Sequence, residues 1–412
     1  MKESTPVINE PKTDSFTLYK KDPRLNTSVY QLASKKKSQN LRTDLSQEFS
    51  QYKDDENFFD AIRQYKTDQK NKIINDLEIA PLQNRQRILK ALSALADSIL
   101  FVTYERVFQI MKARHGMPCF LSSYKQTVPA NLAILGMGKL GGQEINYYSD
   151  LDIIFVYSHR GETLSTPAMD NRQFFVKLAQ KYINVLSVMT SAGRCYEIDT
   201  ELRPSGNSGA LVISYDHFLD HQMNKAQTWE RYALLRARAM ASNWDFQDQL
   251  DKQINKLAYQ HVIDKEVVPQ MHKIRKQVIK ERAIQETNGF DIKLGDGGLM
   301  DIEFIAHLIQ LKYGLIHPNL QQRSLFELFE ALKKHDILSS SELGSLSRAH
   351  LYYRSIESLL HLEKKRSDSF LLFDTSFSEL ITEKLNLTSV KEAIKDLQED
   401  VRKIYKRFYP LA

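Results

Sequence analysis

Cysteine is almost missing from the 412 residues: Cys119 and Cys195 stand far apart and in no paired spacing. That excludes a disulfide framework and a zinc cage, and it agrees with a reducing compartment. No apolar run approaches the roughly 18–20 residues that cross a bilayer. The first residues, from Met1 to Pro6, lack the apolar core of a secretion signal. The expectation is a chain of the cytoplasm with no membrane partner. The 11 histidines are scattered and none forms a His-Glu-x-x-His pattern, which argues against an imidazole-rich metal site. Charge is nearly balanced, at +6 from 57 basic and 51 acidic residues. That mild bias suits a phosphate-bearing ligand or an acidic partner. Without a clustered basic stripe it predicts no nucleic-acid binding.

Hydrophobic content of 42% and charged content of 26% are those of an ordinary soluble protein, long enough for two or three cores. Residues 1–55 are polar, with Ser34-Lys-Lys-Lys-Ser38 among them, and read as a loosely ordered arm. Residues 56–117 read as helices: Phe58, Ile62, Tyr65, Ile73 and Leu77 recur at helical spacing, then Ile88, Leu92, Leu95, Ile99 and Val102 after Pro81. Over 118–215 the texture changes. Short apolar runs at 131–135, 151–157, 194–202 and 210–214 read as strands, with a helix over 173–189 between them. This predicts a compact mixed α/β domain. Residues 216–412 are helical almost throughout, with segments at 228–240, 266–285, 299–313, 325–333, 341–362 and 390–409, and predict a helical bundle packed on that domain. The fold class is thus α+β.

Gly136-x-Gly138-x-x-Gly141 matches a dinucleotide-binding fingerprint, but the next strand begins at Leu151 and leaves no room for the crossover helix that fold needs. Another arrangement accounts for more residues. Asp150 and Asp152 alternate across Leu151, so both side chains project from one face of a strand while Leu151 and Ile153 point to the core. Two carboxylates on one face repel each other unless a cation neutralises them, and Mg²⁺ suits hard oxygen ligands beside substrate phosphates. The upstream glycines Gly138, Gly141 and Gly142 let backbone amides approach a triphosphate, and Lys139 adds a point charge. A third carboxylate is expected on a neighbouring strand, where Glu197, Asp199 and Glu201 share a face; Asp199 is favoured. Arg203 lies on that same face and is a candidate for a phosphate oxygen. On the segment 228–240, Arg236 and Arg238 lie on different sides, which gives one a phosphate contact and the other a structural ion pair. Asp301 and Glu303 open a helix where carboxylates are favoured by the dipole whatever the function.

Four blocks carry a resemblance: GMGKLGGQEINYYSDLDIIFVY (136–157), YEIDTELRPSGNSG (196–209), TWERYALLRAR (228–238) and KLGDGGLMDIEF (293–304). Together they resemble the bacterial glutamine synthetase adenylyltransferase family, over about residues 60–365. The resemblance implies a polymerase-β-type nucleotidyltransferase domain with a mixed sheet, plus a helical domain. It implies that Asp150, Asp152 and Asp199 are catalytic and hold two Mg²⁺ ions. Gly138, Lys139, Gly141, Gly142, Ser149 and Arg203 would hold ATP. The reaction implied is transfer of AMP to a tyrosine hydroxyl of glutamine synthetase, with a nitrogen-signalling regulatory protein as a further partner. It also implies that the glycines of 293–304 line the nucleotide or acceptor cleft.

Two features depart from the family pattern. Glu201 stands where the family carries arginine, and one transferase domain fits here rather than two. Arg203-Pro-Ser-Gly leans toward the adenylylating half of the family enzyme, whereas Trp229-Glu-Arg-Tyr leans toward the half that removes AMP by phosphorolysis. Adenylylation, deadenylylation and a weakened nucleotide-sensing module all remain open at this point.

Overall fold

A computed structural model of the chain describes residues 45–240, 244–260, 266–284, 286 and 288–410. Most of the polar stretch at the start therefore lies outside the described residues. Residues 45–49 form a helical turn that buries Leu45 and Phe49, so packed structure begins ahead of residue 55.

The long strand β4 (Leu151–Tyr157) organises the α/β part. Its alternation divides cleanly: Leu151, Ile153, Phe155 and Tyr157 enter one core, and Ile154 and Val156 enter another on the opposite face. β3 (Leu132–Gly136), every residue of it buried, pairs antiparallel with β4. β6 (Ile198–Asp199) and β7 (Val212–Ser214) both pair parallel with the remaining edge of β4, one after the other along its length. β8 (Arg238–Met240) closes the other side of β3, giving a five-stranded mixed sheet. A smaller sheet sets β1 (Pro118–Leu121) between β2 (Thr127–Pro129) and β5 (Glu162–Thr163).

Helices cover both faces. Helix α4 (Asn171–Ser187) begins where the Asp170 carboxylate accepts the amides of Arg172 and Gln173. It lays Phe174, Phe175, Leu178, Tyr182 and Leu186 on the first face, each side chain contributing about 1.5–3 kcal/mol by burial. Helices α1 (Asp55–Leu77) and α2 (Pro81–His115) complete that layer. On the second face α7 (Trp244–Tyr259) packs Phe246, Leu250, Ile254 and Leu257 against Ala133, Leu135, Ile154 and Val156, beside α5 (Tyr215–Asn224).

A second large core belongs to the C-terminal helices α8 (Val267–Arg282), α9 (Leu299–Tyr313), α10 (Leu325–Leu332), α11 (Ser340–Lys364), α12 (Ser376–Lys384) and α13 (Val390–Phe408). A long-range antiparallel pair, β9 (Gly289–Asp291) with β10 (Phe370–Leu372), ties this part together. Helix α11 starts on a capping box between Ser339 and Glu342. Among the described residues no helix is long and apolar enough to cross a membrane, and both cysteines are free and buried.

The segment expected as one helix over 228–240 is two elements. Helix α6 (Thr228–Leu234) ends, and the chain then turns into β8. The open edge of β3 offers backbone partners that a helical end would leave unpaired, and Arg238 is fixed there by two 2.9 Å bonds to Asp97. Likewise the strand expected over 194–202 is confined to β6. Glu197 points to solvent beside Arg194, and Glu201 accepts from Asn207.

Candidate active site

The three aspartates converge. Asp150 precedes β4, Asp152 is its second residue, and the parallel register sets Asp152 opposite Asp199 of β6. Carboxylate oxygens of Asp150, Asp152 and Asp199 all lie within 4.8 Å of one another. Of the three acids on the second segment, only Asp199 joins the group; the Glu201 amide donates to its Oδ1 at 2.7 Å and fixes its rotamer. Glu201 itself stays outside the group, its carboxylate accepting from Asn207.

Burial, together with the charges of Asp150 and Asp199, pushes the Asp152 carboxyl up to about 6, against the opposing pull of Lys293 and Lys139. Three crowded carboxylates with that electrostatic cost are what a divalent cation relieves, and an all-oxygen donor set fits Mg²⁺. In the metal-free protein Asp152 therefore opposes folding when ionised. Its folded value lies above its ordinary value of 3.8, so the stabilisation it gives is complete below 3.8 and lost as pH rises through about 6. Asp152→Asn should raise the melting temperature of metal-free protein near neutral pH, by roughly 1–2 kcal/mol of stability, and remove the further rise that Mg²⁺ gives the parent. An unchanged melting temperature without metal would count against crowding at this centre.

The glycine loop divides its labour in a way spacing alone does not reveal. Gly138 has φ +49 and sits so close to Asp152 that a Cβ would lie 2.9 Å from Oδ2; it gives the carboxylate room. Gly141 and Gly142 shape the turn itself. Their amides donate to the Met137 and Gly138 carbonyls within the turn α3 (Gly138–Gly141), and a Cβ at either would overlap Arg236. Ser149 likewise is spent on shape: its buried Oγ accepts the Asn146 amide at 2.9 Å, forming the turn that aims Asp150. Arg203 pins its loop. Its guanidinium donates to carbonyls of Thr200, Asn207 and Gly209 and to the side chains of Thr200 and Asn207.

Arg236 and Arg238 are both structural ion-pair residues. Buried Arg236 bridges Glu144 at 2.8 Å and Glu303 at 3.0 Å, and Arg238 holds Asp97. The glycines of 293–304 also serve packing: Gly295 lies against Phe290 and Gly297, at φ +83, against the Gln398 backbone. Asp301 is buried against Arg275. The residue of that block that faces the centre is Lys293, exposed and close enough for its charge to act on both Asp152 and Lys139.

Lys139 bonds Glu357 of α11 at 2.6 Å. Burial, with the nearby Arg354 and Lys293 charges, lowers the Lys139 ammonium below its ordinary value, and Glu357 opposes that shift. Asn146 adds a 3.3 Å bond to Glu357 and accepts from Ser358. Glu144 accepts from Ser324 Oγ and from the Leu325 amide at the start of α10. Burial alone would raise Glu144, but Arg236, His350 and Arg354 hold it down at about 2. Thus Lys139, Glu144 and Asn146 lock the aspartate-bearing loop onto the helical core. Sequence reasoning missed Glu144 and Asn146, although two polar groups flanking apolar Ile145 inside a glycine loop are a usable signal.

The geometry agrees with the comparisons. The sequence profile described as glutamate-ammonia ligase adenylyltransferase matches residues 15–253, and one described as GlnD PII-uridylyltransferase matches residues 270–409. A protein of Vibrio parahaemolyticus serotype O3:K6 is 35% identical over 327 residues, 78% of this chain and 34% of its own length. One of Shewanella loihica is 35% identical over 270 residues, 65% of this chain and 28% of its own. Both are named bifunctional glutamine synthetase adenylyltransferase/adenylyl-removing enzyme, and the chain spans about a third of the length of these relatives. With the profile covering more than half of its residues, the chain belongs to the glutamate-ammonia ligase adenylyltransferase family.

Proposed function

We propose that this chain transfers AMP from ATP to a tyrosine hydroxyl of glutamine synthetase, in the cytoplasm and with Mg²⁺, two ions being held by Asp150, Asp152 and Asp199. The observation that carries this reading is the convergence of the three carboxylates within 4.8 Å at the mouth of β4, next to Gly138. When bound there, Mg²⁺ supplies charge neutralisation for the departing phosphates and eases loss of the tyrosine proton. The tyrosine oxygen bonds to the α-phosphorus, the bond to the bridging oxygen of the β-phosphate breaks, and pyrophosphate leaves. Asp199, at the sheet edge, takes the hydroxyl proton. Lys293, exposed and acting on Asp152, steadies the triphosphate from the helical side, and Lys139, paired with Glu357, adds positive charge behind the carboxylates.

The reverse reaction, phosphorolysis of adenylylated synthetase, uses the same centre and is supported by the adenylyl-removing half of the relatives' names. Nitrogen control would then require a regulatory signalling protein as partner. The test has two arms. Purified chain with ATP, Mg²⁺ and glutamine synthetase should add the mass of one AMP to a synthetase tyrosine. Adenylylated synthetase with phosphate should release ADP if removal is the direction. ATP binding with neither reaction would overturn the transferase reading in favour of a nucleotide-sensing module.

A further inference from the structure

A cavity of about 430 Å³ opens at the far end of β4, around Tyr157. That is five residues along the strand from Asp152, roughly 17 Å at the rise of an extended chain. Its polar wall comes from four separate parts of the fold: Arg160 after β4, Arg172 in the first turn of α4, Ser205 and Gly209 in the 200–209 loop, and His217 of α5. Arg160, Arg172 and His217 are exposed, and neither guanidinium has a carboxylate within ion-pair distance among the described residues. Asp170, the acid in the wall, caps α4 through Oδ1 and leaves the two guanidiniums and the imidazole in excess over its single negative charge. Pro204, Val212 and Ile213 add an apolar side.

We propose that this cavity binds a small phosphate monoester, and that its occupancy is read at Asp199 through the 200–209 loop. Two guanidiniums, an imidazole and a hydroxyl converging from different elements match the oxygens of a tetrahedral dianion. The volume exceeds what free phosphate fills, and the apolar side accommodates an organic body. The loop that forms one wall begins at Asp199, whose carboxylate is fixed by the Glu201 amide. Arg203 ties Thr200, Asn207 and Gly209 into one shape, and Ser205 is held at φ +64. A ligand seated on Ser205 and Gly209 therefore acts on a preformed loop with a metal-binding carboxylate at its other end.

The test is calorimetric titration of the full, metal-free chain with ribose 5-phosphate and, separately, with inorganic phosphate. Three proteins are compared: the parent, Arg160→Ser/Arg172→Ser, and Asp150→Asn/Asp152→Asn, each checked for an intact thermal transition. Saturable binding is expected for the parent and the carboxylate variant, weakened by roughly tenfold or more in the arginine variant. Tighter binding of the ester than of phosphate supports the organic ligand; equal binding reassigns the site to free phosphate. Absence of saturable heat with either, or equal binding by the arginine variant, would overturn the site. Saturating ligand should also shift Mn²⁺ affinity in the parent by about twofold or more, and not in the arginine variant. An unshifted parent would overturn the coupling to Asp199. None of these readouts depends on which reaction the chain performs.

Discussion

Asp150→Ala/Asp152→Ala should lower AMP transfer by at least about a thousandfold, equivalent to some 4 kcal/mol of lost transition-state stabilisation, while the chain still folds. Both halves of that expectation come from the same geometry. The two side chains project from one face at the start of β4 and meet Asp199 across the parallel pair with β6. Without them Asp199 alone remains of the carboxylate cluster, too little to hold a divalent cation. Their loss does not weaken the core, because Leu151 and Ile153 bury the other face of the strand and the crowded charges oppose folding in the absence of metal. The check is a rate measured with labelled ATP alongside a metal-free melting curve. A variant retaining a tenth of the activity would place the chemistry elsewhere.

The second large effect concerns stability. Glu144→Gln should destabilise the chain by about 2–3 kcal/mol, because it takes from the buried Arg236 its nearest partner and leaves only the half-exposed Glu303 to balance the charge. Glutamine keeps the shape and an acceptor for Ser324 and the Leu325 amide, so the loss reports on charge rather than on packing. Sign and pH window follow from the depressed value. Glu144 sits at about 2, below the ordinary carboxylate value, so its contribution is present above 4.5 and is lost as pH falls through about 2. The gap between parent and variant in urea unfolding should therefore be full at neutral pH and narrow in acid. A difference under about 1 kcal/mol at neutral pH would mean that the inter-core network is dispensable. Because Glu144 joins the aspartate loop to α10, the same variant should also loosen the site, raising the metal concentration needed for activity.

Much of the site was legible because it is local. Asp150 and Asp152 alternate with buried Leu151 and Ile153, and a period of two in a strand is visible in any sequence. Helix α9 starts and stops where its apolar spacing does. The illegible parts are those decided by a distant partner. Gly141, Gly142, Ser149 and Arg203 carry the composition of a phosphate cradle, but their donors and free space are taken by Met137, Arg236, Asn146 and the 200–209 loop. Glu144 meets Ser324 across 180 positions, a separation no local pattern encodes. Arg238–Met240 reads as the end of an amphipathic helix, and only the open edge of β3 makes it a strand.

Transfer, on the reading proposed above, depends on a divalent metal held jointly by Asp150, Asp152 and Asp199. The most direct test is a Mn²⁺ titration followed by electron paramagnetic resonance, on the parent chain and on Asp152→Asn and Asp199→Asn. Saturable Mn²⁺ binding is expected for the parent, displaced by Mg²⁺ and lost with either substitution. Equal binding by the parent and both variants would contradict it.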